Sequence, residues 1–102
     1  METDPKEKEN KEVGNRLYEI REFLDLSQDE FAQVCEVKPK YISRIETGGS
    51  DVRVSTITKL TKNIDMTKKK FFDYGTIPES LKTFRDKKLK RKFSYLFKRF
   101  KK

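Results

Sequence analysis

The sequence contains no histidine and no tryptophan, and its single cysteine is Cys35. One cysteine cannot form a disulfide within the chain, and without histidine or a second thiol the usual ligands of a zinc site are missing. We therefore expect no disulfide, no metal and no cofactor. A nucleophile beside a matching base, a carboxylate dyad and a phosphate-binding loop are also missing, which argues against an enzyme.

Long apolar stretches are missing as well. Hydrophobic residues make up 33% of the chain and charged residues 41%, and no uncharged run approaches the roughly 20 residues that span a bilayer. The N-terminal stretch METDPKEKENKE is charged throughout, unlike a signal sequence. We expect a cytoplasmic protein with one small domain, whose core comes from sparse but well-placed apolar side chains.

The net charge of +8 is unevenly distributed along the 102 residues. Residues 1–75 hold 14 Lys and Arg against 15 Asp and Glu, whereas residues 76–102 hold 11 against 2. The basic character therefore belongs to the C-terminal segment. Any case for nucleic-acid binding by the first 75 residues must rest on where individual cations point.

The apolar spacing predicts an all-α chain, beginning with two helices. The stripe of the first helix is formed by Val13, Leu17, Ile20 and Leu24. Ser27 and Glu30 stand at the spacing of a capping box, which predicts the start of a second helix. Cys35 lies on the apolar side of that helix, where an inert core residue is expected rather than a redox switch.

Three further short helices follow. Pro39 suits the first turn of a third helix, which buries Ile42 and Ile45 and ends at Thr47, with Gly48 after it. The expected buried face of the fourth helix consists of Val54, Ile57, Leu60 and Ile64. The fifth helix is expected to be capped by Thr67 and anchored by Phe71 and Phe72.

These patterns divide the chain into a charged flexible arm over residues 1–10, a five-helix domain over residues 11–75 and a basic amphipathic C-terminal helix over residues 76–102. The C-terminal helix carries one apolar stripe, formed by Leu89, Phe93, Leu96, Phe97 and Phe100. Four roles are open for this stripe: packing on its own domain, pairing with a second copy, binding a partner protein, or lying on an anionic membrane surface. A dimer contact is favoured over the membrane surface.

The second and third helices are joined by a tight turn, which is typical of proteins that insert a helix into the DNA major groove. The face of the third helix opposite its isoleucines carries hydrogen-bond donors for base edges or phosphates: Lys40, Ser43, Arg44 and Thr47. The alternative is a plain helical hairpin whose cations are only solvated.

The segments LSQDEFA and YISRIETG, within residues 13–72, resemble the lambda-repressor-like (Cro/CI or XRE-type) helix-turn-helix family. The resemblance implies a five-helix domain that binds double-stranded DNA. It also implies that Gln28 grips a phosphate and braces the third helix, and that Arg21 and Glu46 form an ion pair between the first and third helices. With the outward face, it gives the candidate DNA-binding set: Gln28, Lys38, Pro39, Lys40, Tyr41, Ser43, Arg44, Thr47, Gly49, Ser50 and Arg53.

Two positions depart from the family pattern. Glu36 stands where the turn usually has a glycine with positive φ, at a cost of roughly 1 kcal/mol if that geometry is kept. Lys38 replaces a small hydroxyl cap, so the third helix loses a cap of about 1 kcal/mol but gains a cation near the phosphates.

We therefore expect a sequence-specific DNA-binding transcriptional regulator, a repressor rather than an activator, that binds a palindromic operator as a homodimer. One alternative is the antitoxin of a toxin–antitoxin pair, which represses its own promoter and binds a basic toxin. The other is a protein whose tail drives binding to a membrane surface or to a partner protein.

Overall fold

A computed structural model of the chain describes residues 5–49 and 52–87. Its helices are α1 (Pro5–Phe23), α2 (Gln28–Cys35), α3 (Pro39–Glu46), α4 (Val54–Lys62) and α5 (Lys68–Phe71). Residues 79–87 are also helical and form α6. Over these ranges there is no β-strand, and the prediction of an all-α helix-turn-helix fold is confirmed.

Helix α1 begins at Pro5, well before the apolar stripe that starts at Val13. Residues 5–10, which we expected to form a flexible arm, are part of this helix. Proline fits the first helical position because its missing N–H would have no partner there, and Glu7 in the first turn complements the helix dipole. Nearly all of these residues are exposed, so local start signals rather than an apolar face place this end of α1.

The core is one cluster to which all six helices contribute. It consists of Val13, Leu17, Ile20, Leu24, Leu26, Phe31, Ala32, Cys35, Ile42, Ile45, Ile57, Leu60, Ile64, Met66, Phe71 and Leu81. Two expected core residues are exposed instead: Val54 at 62% and Phe72 at 44%. Val54 is the first residue of α4 and lies beyond the core. Thr61, a polar residue of the same helix, is buried instead, and its hydroxyl donates to the Ile57 carbonyl at 2.8 Å.

The packed domain extends past residue 75, where we had placed its end. Leu81 of α6 is fully buried in the core, and Phe84 packs partly buried against it. The Arg85 guanidinium lies 4.3 Å from the centroid of the Phe23 ring on α1. Residues 79–87 therefore pack on their own domain. The predicted apolar stripe lies outside the described residues: Leu89, Phe93, Leu96, Phe97 and Phe100.

Helix α3 lies directly against α1 at Gly14. A Cβ atom at this position would overlap the carbonyl oxygen of Ile45 and would lie 2.9 Å from that of Glu46. The missing side chain thus allows the C-terminal half of α3 to approach the α1 backbone closely. Within the part of the chain that the structure describes, no helix is long and apolar enough to cross a membrane.

Candidate nucleic-acid interface

Helix α2 is fixed at both ends by local hydrogen bonds. The Ser27 hydroxyl accepts from the Glu30 N–H at 3.1 Å, and the Glu30 carboxylate accepts from the Ser27 N–H at 2.9 Å, which together form the predicted capping box. At the other end the Val37 N–H donates to the Ala32 carbonyl at 3.0 Å. The turn between α2 and α3 therefore begins at a helix end that is fixed by a backbone hydrogen bond.

The turn keeps the geometry that the family usually builds with glycine. Glu36 has φ 59° and ψ 42°, in the left-handed region, at a cost of roughly 1 kcal/mol for a residue with a side chain. Lys38 is extended and makes no side-chain cap, and Pro39 begins α3 directly after it. Glu36 thus adopts the positive φ expected at its position, and α3 begins without a side-chain cap from Lys38.

Helix α3 has a buried and an exposed face. Ile42 is fully buried and Ile45 is 5% exposed. The candidate DNA-binding residues exposed around this helix are Lys38, Pro39, Lys40, Tyr41, Arg44 and Thr47. Ser43, on the same outward face, is partly buried, as is Gln28 at the start of α2.

The C-terminal end of α3 is a Schellman motif. Gly48 has φ 73°, and its N–H donates to the Ile45 carbonyl at 3.0 Å, while the Gly49 N–H donates to the Arg44 carbonyl at 3.0 Å. The Thr47 hydroxyl also donates to the Arg44 carbonyl, at 3.1 Å. The N–H of Gly49, which belongs to the candidate DNA-binding set, is therefore already bonded within the protein. Ser50 lies outside the described residues.

An ion pair connects α3 to α1. The Arg21 Nε donates to the Glu46 Oε2 at 2.7 Å, and its Nη2 donates to the Glu46 Oε1 at 2.9 Å. The hydrogen bond to Glu46 raises the pKa of Arg21 above its ordinary value. Gln28 also donates to the Glu46 Oε1, at 3.2 Å, so α2 joins the same network. These contacts fix the orientation of α3 relative to both helices.

Cations surround the exposed face. Arg44 lies on α3, Arg53 is the exposed N-cap of α4, and the Lys40 Nζ lies 5.8 Å from the centroid of the Tyr41 ring. A guanidinium can bond the two acceptors of guanine in a forked geometry, and a lysine or tyrosine can bond phosphates or bases. The arrangement can therefore both read base edges and neutralise phosphates.

Sequence analysis did not identify one residue with a structural role, Arg16. Arg16 is 3% exposed, and its guanidinium donates to three backbone carbonyls: those of Phe71 at 2.7 Å, Lys70 at 2.9 Å and Thr76 at 2.7 Å. It thereby attaches α5 and the segment before α6 to α1. The available signal was its position, since it is a cation within the apolar stripe of α1.

Comparison with known proteins agrees with this geometry. A family model described as helix-turn-helix matches residues 17–70, which is more than half of the 102 residues. No curated protein matches the chain. Among residues 5–49 and 52–87, no cluster of acidic or thiol side chains is arranged to hold a metal ion. The chain belongs to the lambda-repressor-like (XRE-type) helix-turn-helix family of DNA-binding transcriptional regulators.

Proposed function

We propose that the protein is a repressor that binds a palindromic DNA operator as a homodimer. The observation that carries this proposal is the polarity of α3, which buries Ile42 and Ile45 and exposes Lys40 and Arg44. Major-groove recognition requires long donors on a rigid helix whose opposite side is fixed to a core. The Arg21–Glu46 ion pair supplies much of that fixation.

Base reading and phosphate binding fall to different residues in this proposal. Lys40, Ser43 and Arg44 share the outward face of α3, so we assign sequence specificity to them. The candidate residues around this face supply affinity through phosphate contacts: Gln28, Lys38, Tyr41 and Arg53. Thr47 and Gly49 are assigned smaller roles, because their donors are bonded within the protein.

The homodimer follows from the length of the reading helix. Helix α3 has eight residues, and one such helix reads few base pairs, whereas two related by a twofold axis reach half-sites about 34 Å apart. Repression follows from occupancy alone, since a protein bound across a promoter excludes other proteins. Activation would require a further contact with the transcription machinery.

The direct test is selection of bound duplexes from a random DNA pool, using the full chain. We expect an enriched palindrome whose half-sites are separated by about one helical turn, roughly 10 base pairs from centre to centre. The same selection with Arg44→Ala should lose the preference at one position of each half-site. An enriched site without internal symmetry, bound by one chain in sedimentation, would contradict the homodimer. A pool that shows no enrichment would contradict sequence-specific binding.

A further inference from the structure

A cleft of about 640 Å³ lies beside α3, between this helix and α4. Its apolar lining is formed by the buried side chains of Ile45 and Leu60 and by the partly buried side chains of Val37 and Val52. A volume of this size is within the range of sites that enclose small organic ligands. The cleft is therefore large enough for a molecule with an apolar body of one or two rings.

Among the described residues, the charged side chains that line the cleft all have the same sign. Arg44, Arg53 and Lys59 line it and are exposed, and within residues 5–49 and 52–87 no acidic residue lines it. The hydroxyl residues Ser55 and Thr56 lie on the α4 side. Three cations beside an apolar surface complement a ligand that combines an apolar body with an anionic group.

We propose that this cleft binds a small amphipathic anion, such as an aromatic carboxylate or sulfonate, and that the bound anion displaces DNA. Arg44 lines the cleft and also belongs to the outward face of α3, and Tyr41, which lines the cleft too, is one of the proposed phosphate contacts beside that face. A ligand that bonds Arg44 and covers Tyr41 occupies groups that the duplex needs. The displacement of DNA rests on the proposed function, whereas binding of the anion does not.

The binding test uses 8-anilinonaphthalene-1-sulfonate as the anion and N-phenyl-1-naphthylamine, which has the same rings without the sulfonate, as its neutral control. Titrations of the full chain are followed through the methyl NMR signals of Val37 and Val52, so that dye bound elsewhere is not counted. The sulfonate should shift both signals saturably, and the neutral dye should bind about three- to fivefold more weakly, since an exposed charge contact contributes up to about 1 kcal/mol.

The variants test the anion contact directly. Lys59→Gln should weaken sulfonate binding about three- to fivefold. Lys62→Gln removes the same charge from the same helix outside the lining and should leave binding unchanged. Methyl signals that do not respond, equal binding of the two dyes, or equal binding by Lys59→Gln and the unmodified chain would each overturn the ligand site.

The regulatory part is tested by adding the sulfonate to the complex with a duplex from the random-pool selection. We expect release of the duplex, with Lys59→Gln requiring about three to five times more sulfonate than Lys62→Gln. If the methyl signals respond while the duplex stays bound, regulation through this cleft is wrong. If the chain binds no duplex at all, the proposed function fails, although the binding of the anion is still supported by the dye titrations.

Discussion

At the scale of single residues, Glu46 has a buried charge on the helix that exposes Arg44. The Glu46 side chain is 5% exposed and that of Arg21 is 10% exposed, so both partners of the ion pair are largely removed from water. Breaking such a pair on one side leaves a buried charge without its partner, which costs about 3–5 kcal/mol. We infer that the pair holds α3 in position but that removing both charges together costs much less.

Glu46→Leu should therefore lower the free energy of unfolding by about 3–5 kcal/mol, and the double variant Arg21→Met with Glu46→Leu should recover a large part of this loss. Urea denaturation of the single and double variants measures both effects. Glu22→Gln is the matched control, because Glu22 also lies 3.5 Å from Arg21 but is 55% exposed, and it should cost no more than about 0.5 kcal/mol. Strictly additive losses would contradict the buried coupling.

The sequence predicted the outward residues of α3 because helical geometry alone places positions 40, 43, 44 and 47 opposite the isoleucines. The Arg21–Glu46 pair has no local pattern, and only the family resemblance implied it. The bonded states of Thr47 and Gly49 could not be predicted, since they depend on how the chain closes the end of α3. Arg16 was missed because its partners are backbone carbonyls distant in sequence.

At the scale of elements, residues other than glycine adopt the left-handed conformation after several of the helices. Asp25, Glu36 and Asp65 all have positive φ, between 56° and 59°. Aspartate tolerates this conformation better than most residues because its short side chain can bond locally. Glu36 lacks that advantage, so of these three residues we expect Glu36 to have the largest backbone strain.

Glu36→Gly should raise the free energy of unfolding by roughly 1 kcal/mol, since glycine adopts positive φ without a steric penalty. Gln33→Gly is the control: it places glycine at an exposed position inside α2, where it should lower stability by about 1 kcal/mol. Thermal or urea unfolding distinguishes the two signs. A loss of stability in Glu36→Gly would show that the glutamate side chain contributes more than its strained backbone costs.

The elements were predicted best where capping and apolar spacing agree, as at Ser27 and along the stripe of α1. The start of α1 was missed because residues 5–10 have no apolar face, although Pro5 and Glu7 carry the start signals. We placed the end of the domain too early, at Gly75. Leu81 alone makes no stripe, and its burial depends on the position of α6 against the core.

At the scale of the whole molecule, the positive charge is concentrated at the C-terminal end. Residues 88–102 contain eight lysines and arginines and no acidic residue, so a chain ending at residue 87 carries 17 cations and 17 anions. Removing residues 88–102 retains Leu81 and Phe84, which pack on the core. The truncation therefore tests the charge of the tail without removing described core residues.

The truncated chain should bind DNA with a smaller dependence of log K on log salt, because each phosphate contact contributes about −0.9 to that slope. Fluorescence anisotropy at several salt concentrations measures the slope for both chain lengths. Unfolding of the truncated chain at an unchanged urea midpoint provides the control. Equal slopes would show that the tail makes no phosphate contacts, and its basic residues would then have another role.

The most direct test of the proposed function compares Arg44→Ala with Lys62→Ala, which removes a cation of α4 away from the outward face of α3. Each is titrated at one salt concentration against the selected duplex and against a duplex with scrambled half-sites. We predict that Arg44→Ala loses about 1–3 kcal/mol of affinity for the selected duplex and clearly less for the scrambled one, while Lys62→Ala affects both duplexes little. Equal losses of Arg44→Ala on both duplexes would show that Arg44 neutralises phosphates without reading bases, and would contradict the base recognition that we assign to this residue of α3.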